Sequence, residues 1–181
     1  PGTPSTGEEA RAARQRGTLV RRLMQSLPDI VPEKRLETAR RFLDDGIVAV
    51  ADFYTKGPTR VQLMDKDPKG WQELYDQFVA QSARGHALTM QGVQMTRPSV
   101  YELERELERL EVPTLIMTGD EDEPCLEPAL YLKRKIRSSG LLVLPRTGHA
   151  INLEEPDAFN RGVLDFLTAV DAGRWQIRAE S

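Results

Sequence analysis

Thiols and imidazoles are scarce in this 181-residue chain, which holds one cysteine, Cys125, and two histidines, His86 and His149. A single thiol excludes an internal disulfide, and no His/Cys spacing suggests a zinc site. Long apolar runs are missing too. Those at residues 112–117 and 141–144 fall far short of the roughly 20 apolar residues that span a bilayer. The polar, Arg-rich N-terminus has no apolar stretch behind it, so it does not read as a signal peptide. Basic excess is absent as well: 25 Lys and Arg against 28 Asp and Glu leave a net charge of −3, which argues against general nucleic-acid binding. Arg11, Arg14, Arg16, Arg21 and Arg22 cluster, but acidic segments elsewhere offset them, and a solvated helix face is the simpler reading. These absences predict a reducing, cytoplasmic protein with no membrane or nucleic-acid partner. An initiating methionine is also lacking: Pro1 opens a turn-like Pro-Gly-Thr-Pro-Ser-Thr-Gly stretch, as expected of a processed or N-terminally incomplete sequence.

What is present is enough apolar residue, 39% against 29% charged, for a compact domain with a core. Residues 8–26 read as a helix, with Leu19, Val20 and Leu23 as its apolar positions. Pro32 suits a first helical position, and 33–45 carries Leu36, Ala39, Phe42 and Leu43 at helical spacing. Gly46 can end that helix in a left-handed conformation. A short apolar helix or turn at 47–54 closes at Lys56-Gly57-Pro58. Asp67 before Pro68 predicts a capped helix to about residue 83, with Trp71, Leu74, Tyr75 and Phe78 as its stripe. A shorter segment covers 86–95. Ser99 with Glu102 three residues on forms a capping-box pattern for a charged helix ending at Leu110. The first hundred residues therefore read as all-helical.

Residues 112–118 change the character of the chain. Val-Pro-Thr-Leu-Ile-Met-Thr is a continuous run of the kind buried on both faces of a parallel sheet. Gly119 stops it, a helix is expected at 127–138, Gly140 breaks that helix, and 141–144 is a second buried strand. A last helix at 156–170 should turn Phe159, Val163, Leu164 and Phe166 inward. Strand–helix–strand–helix order implies a parallel pair joined by a right-handed crossover. Two strands do not make an independent sheet, so an edge is left for other chain to cover.

Two loops follow the carboxyl ends of these strands, where open α/β sheets place their sites. One is Gly119-Asp120-Glu121-Asp122-Glu123-Pro124; the other runs from Pro145 through Thr147-Gly148-His149 to Pro156. An acid from the first and His149 from the second would emerge as neighbours. A carboxylate on one imidazole nitrogen fixes the tautomer and leaves the other nitrogen free to take a proton from a nucleophile. Any of the four acids of the first loop could instead be a plain turn or cap residue.

Val112-Pro113-Thr114-Leu115-Ile116, then Gly119-Asp120-Glu121-Asp122, Gly148-His149 and Asn152-Leu153-Glu154-Glu155-Pro156 together resemble the C-terminal end of the α/β-hydrolase superfamily. The resemblance covers residues 112–167. It implies an α/β fold that is mostly helical with two parallel core strands, the C-terminal portion of an α/β-hydrolase. It implies Asp122, three residues after the strand-ending glycine, as catalytic acid, and His149 as catalytic base. It also implies a helical cap or lid over residues 1–110, the closing strand-helix-strand-helix over 111–171, and a tail at 172–181. The family's Gly-x-Ser-x-Gly nucleophile elbow is missing; Thr3-Pro4-Ser5-Thr6-Gly7 lacks the first glycine and has no strand before it.

The other singular residues have plainer readings. His86 is a helix-surface or cap residue. Met64, Met90 and Met95 with Phe53, Tyr54 and Trp71 could line an apolar pocket, although such spacing is more often ordinary packing. Cys125 is a small buried or half-buried thiol. The resemblance implies a hydrolase that, when complete, cleaves a small-molecule ester, lactone or thioester with no metal or organic cofactor. This chain, without a nucleophile, is expected to be inactive. Two other expectations stand beside that one. The chain could be a shortened, non-enzymatic interaction module whose exposed sheet edge is covered by self-association or a partner chain. Alternatively, it could be one chain of a composite hydrolase.

Overall fold

The computed structural model describes residues 32–179; the helix expected at 8–26, with its arginine cluster, lies outside them. Helix α1 (Pro32–Asp44) begins at its proline. Ala39 and Phe42 are buried, but Leu36 and Leu43, expected on the same stripe, are exposed. Gly46 has φ +82°, the left-handed conformation that ends α1 and turns directly into α2 (Gly46–Thr55). A short helix that periodicity did not reveal follows, α3 (Val61–Lys66). The side chain of Asp67 accepts from the Gly70 amide at 3.0 Å and caps α4 (Pro68–Val79), which stops four residues before the expected end. Helix α5 (Ala83–Thr89) runs into a π-helical turn at Met90–Gln94.

Ala39, Phe42, Val50, Ala87 and Met90 form one core, with Phe78 packed against it. His86 is not the surface residue expected of it. Its ring stacks on Phe42 at 4.8 Å and tilts against Phe78 at 4.7 Å, and burial there lowers its pKa. The capping box at Ser99 forms as expected: Ser99 N–H donates to Glu102 Oε2 at 2.7 Å and Tyr101 N–H donates to Ser99 Oγ at 3.3 Å. It opens a 3₁₀ turn (Val100–Leu103) before α6 (Glu104–Glu108). Val100, Leu103, Leu107 and Leu110 do not join the helical core. They pack with Leu132 and Ile136 into a second one, against Ile116.

Strands β1 (Thr114–Gly119) and β2 (Ser139–Leu144) pair in parallel, Thr114 opposite Ser139 and Gly119 opposite Leu144. Helix α7 (Glu123–Lys135) connects them and starts earlier than expected, directly after Asp122. Gly140 lies inside β2 rather than breaking a helix. A Cβ there would stand 2.5 Å from the Trp175 ring, so its bareness seats that indole. After a single turn, α8 (Ile151–Glu154), helix α9 (Pro156–Asp171) closes the chain. Ile116 faces the core under α7. Met117, one residue on and on the opposite face, approaches α9 at Gly162, where an added Cβ would meet it at 3.3 Å. Leu164, expected inward, is exposed.

Thr114 through Met117 are only half-buried, not enclosed on both faces as their apolar character suggested. The cause is the missing neighbour: among the described residues the sheet has two strands, so one side of β1 is open. Residues beyond α9 fold back rather than trailing away. Arg178 donates to the carbonyls of Ile136 at 2.9 Å and Ser139 at 3.0 Å, and Trp175 Nε1 donates to Ser138 O at 2.6 Å. A cation thus meets the carbonyl end of α7, where helix ends carry unmatched acceptors. Among the described residues no helix is long and apolar enough to cross a membrane.

Candidate active site

Equal strand ends bring the two loops together. Gly119 and Leu144 are the last paired rung, and the backbone then stitches the loops to each other. Asp120 N–H donates to Leu144 O at 3.0 Å, Glu121 N–H to Thr147 O at 2.9 Å, and Thr147 N–H to Asp120 Oδ1 at 3.2 Å. A Cβ at Gly119 would lie 1.9 Å from Thr147 O, so the loops approach this closely only because residue 119 has no side chain.

Asp122 sits at the N-cap of α7 but makes no side-chain cap bond. Its carboxylate is instead spent on His149: Oδ2 lies 2.8 Å from Nδ1, with the Asp122 side chain 6% exposed and the imidazole 32% exposed. An ionised carboxylate only accepts, so a hydrogen bond in this contact calls for the proton on Nδ1. Asp120 braces the loop, Glu121 contributes its amide to the loop stitching, and Glu123 begins α7. Of the four acids in the loop, Asp122 is the one whose carboxylate meets the imidazole.

The histidine loop is held from three sides that the sequence did not disclose. His149 N–H donates to Thr59 O at 2.7 Å, tying the loop to the helical region. Gly148 N–H and Ala150 N–H, flanking the histidine, donate to Glu154 Oε2 at 2.8 Å and Oε1 at 3.2 Å. Lys66 Nζ reaches Glu155 Oε1 at 2.6 Å, Thr147 Oγ1 at 3.2 Å and Glu154 Oε2 at 3.6 Å. The only advance signal was the Glu-Glu-Pro run itself; charge pattern alone places such glutamates in solvent.

Gly148 is needed for a different reason than the tight turn expected. Its Cβ would stand 2.4 Å from Thr59 O and 2.5 Å from Gln62 Oε1. Gly148→Ala should therefore push the 59–62 segment off the histidine loop and cost about 1–3 kcal/mol, read as a lower urea midpoint. An unchanged midpoint would mean the two parts are not in contact there.

Cys125 is buried in the first turn of α7, its sulfur 4.0 Å from His149 Nδ1. Asp122 and Cys125 both approach the same nitrogen. A nucleophile activated by this histidine must address Nε2, so Cys125 is misplaced for that role. The supposed pocket of methionines and aromatics does not assemble. Met90 is core, Met95 and Phe53 are exposed, and Trp71 Nε1 donates to Thr55 O at 3.1 Å. An apolar hollow of about 450 Å³ is lined by consecutive β1 residues, by Leu110, Leu132 and Ile136, and by Asp122, Cys125 and His149. A hollow that consecutive strand residues line follows the strand's edge rather than one face.

No protein-family model matches the chain. Among curated proteins, 64 residues are 30% identical to a Bacillus subtilis (strain 168) protein provisionally named 2-succinyl-6-hydroxy-2,4-cyclohexadiene-1-carboxylate synthase, spanning 35% of this chain and 23% of that one. Among solved structures, MenH from S. aureus superposes with a TM-score of 0.68 at 24% identity, over 86% of this chain and 54% of its own. The enol-lactonase from Burkholderia xenovorans LB400 superposes with a TM-score of 0.66 at 25% identity, over 76% and 51%. The chain thus spans about half the length of these structures.

Proposed function

From a chain built as the C-terminal portion of an α/β-hydrolase, helical segment and closing parallel strands together, we propose that it supplies the acid–base half of a hydrolytic site. His149 Nε2 takes the proton of a nucleophile as it attacks a carbonyl and returns it to the leaving group; Asp122 holds the tautomer and stabilises the imidazolium. The observation that carries this reading is the 2.8 Å contact between Asp122 Oδ2 and His149 Nδ1 at the ends of adjacent parallel strands. The nucleophile lies outside these 181 residues, so the chain by itself turns over nothing. In complete form it acts in the cytoplasm on a small ester, lactone or thioester, and no cofactor enters the reaction. The helical residues ahead of Val100 act as the cap, tied to the histidine loop through Thr59 and Lys66; residues 100–110, expected within the cap, pack instead on α7 and β1.

Nitrogen NMR of the labelled chain tests the pairing without any turnover. His149 should show a protonated Nδ1 and an unprotonated Nε2, and Asp122→Asn should shift that balance. A wild-type imidazole protonated on Nε2 alone would remove His149 as a general base.

A second reading is favoured by the open edge of β1. Thr114 N–H and Asp120 N–H point towards β2, so alternation turns the amides of Leu115 and Met117 to the unpaired side, along the hollow. That is the seat of a further strand, supplied by more of the same polypeptide, by a second chain completing a composite enzyme, or by self-association of a non-enzymatic module. Upstream DNA in the source genome separates the cases: an in-frame nucleophile elbow supports the first, and a start codon beside Pro1 the others.

A further inference from the structure

Asp122 and His149 are two members of a group of three. Cys125 directs its sulfur at the nitrogen that also faces Asp122, and the carboxylate oxygen, the sulfur and Nδ1 all lie within 4.8 Å of one another. Around a tetrahedral ion with bonds near 2.0 Å to oxygen and nitrogen and near 2.3 Å to sulfur, donor atoms stand roughly 3.2–3.6 Å apart. Side-chain shifts of about an ångström therefore close this group on a metal. The backbone beneath is already fixed: Cys125 N–H donates to Asp122 O at 2.8 Å, and His149 N–H donates to Thr59 O at 2.7 Å. The imidazole, 32% exposed, leaves a way in from solvent, from which a water can complete the four ligands.

We propose that Asp122, Cys125 and His149 form a binding site for a divalent ion of the zinc class. One carboxylate, one thiolate and one imidazole suit Zn²⁺ or Co²⁺ and not Mg²⁺ or Ca²⁺, which take oxygen. On binding, the thiol proton leaves to solvent as the metal–sulfur bond forms, and the imidazole proton moves from Nδ1 to Nε2 as Nδ1 coordinates. Nothing is oxidised or reduced. The occupied site excludes the Asp122–His149 hydrogen bond and places a proton on the nitrogen that must accept one, so metal and general-base action exclude each other. That last consequence rests on the hydrolytic reading; the binding itself does not.

Titration of the 181-residue chain with Co²⁺ tests the site independently of activity. Expected is saturation at one ion per chain, with visible absorption of a tetrahedral ion and a near-ultraviolet thiolate-to-cobalt band. Zn²⁺ should displace the ion and Mg²⁺ should not. Cys125→Ser should abolish the sulfur band, and both it and His149→Gln should weaken binding by about 10-fold or more, with far-ultraviolet circular dichroism confirming that each variant is folded. No saturable binding, binding without the sulfur band, or binding that Cys125→Ser leaves intact overturns the proposal. None of these results bears on the tautomer measured by NMR, so the two proposals fail separately.

Discussion

Changing His149 to Ala in a form that also carries a nucleophile strand should lower kcat for a p-nitrophenyl ester by roughly 10⁴- to 10⁶-fold, and Asp122→Asn by on the order of 10⁴-fold. The two differ because they remove different things. Without the imidazole nothing receives the nucleophile's proton; with asparagine the imidazole remains but loses the charge that fixes its tautomer. The 181-residue chain, in contrast, should hydrolyse the ester no faster than its own His149→Ala variant. Stopped-assay rates on all three proteins, with circular dichroism to confirm folding, decide the matter. Activity that survives His149→Ala in the extended form removes His149 from the mechanism, and His149-dependent turnover by the chain alone means that a nucleophile lies within the 181 residues.

The extent to which this site was legible follows from how local its determinants are. The strand at 114–119, the glycine that ends it and the acid three residues later are written consecutively, and parallel pairing needs only the order of elements. Helix α4 declared itself through Asp67 and Pro68 for the same reason. Helix α3 did not: six residues are too few for a periodic signal, and its Lys66 is anchored by Thr147 and Glu155, more than eighty residues away. Cys125 looked inert because its proximity to His149 depends on the loop approach that Gly119 permits. Leu43 and Leu164 misled in the opposite direction, since helical spacing marks a residue as apolar-faced but does not supply the surface it packs on.

Glu154→Ala should be the most damaging single change to the framework, costing about 3–5 kcal/mol, a large part of the roughly 5–15 kcal/mol that holds a domain folded. The Glu154 side chain is 0% exposed and accepts from the amides on both sides of His149. Truncation leaves the buried Gly148 amide and the half-buried Ala150 amide without this acceptor, at about 1–3 kcal/mol for the buried one and less for the other, and removes the carboxylate facing Lys66. Glu154→Gln keeps an acceptor but not the charge, so a smaller loss of roughly 1–2 kcal/mol is expected. Urea unfolding gives both values, and hydrogen exchange at Gly148 and Ala150 localises them, since these amides should lose protection before the core strands do. A double-mutant cycle pairing Glu154→Gln with Lys66→Met should show coupling of about 0.5–3 kcal/mol. Additive losses would mean that the lysine is held by Glu155 and Thr147 alone. A midpoint unmoved by Glu154→Ala would mean that the histidine loop keeps its shape without the buried carboxylate, and with it would go the account of how the helical region holds the imidazole in place.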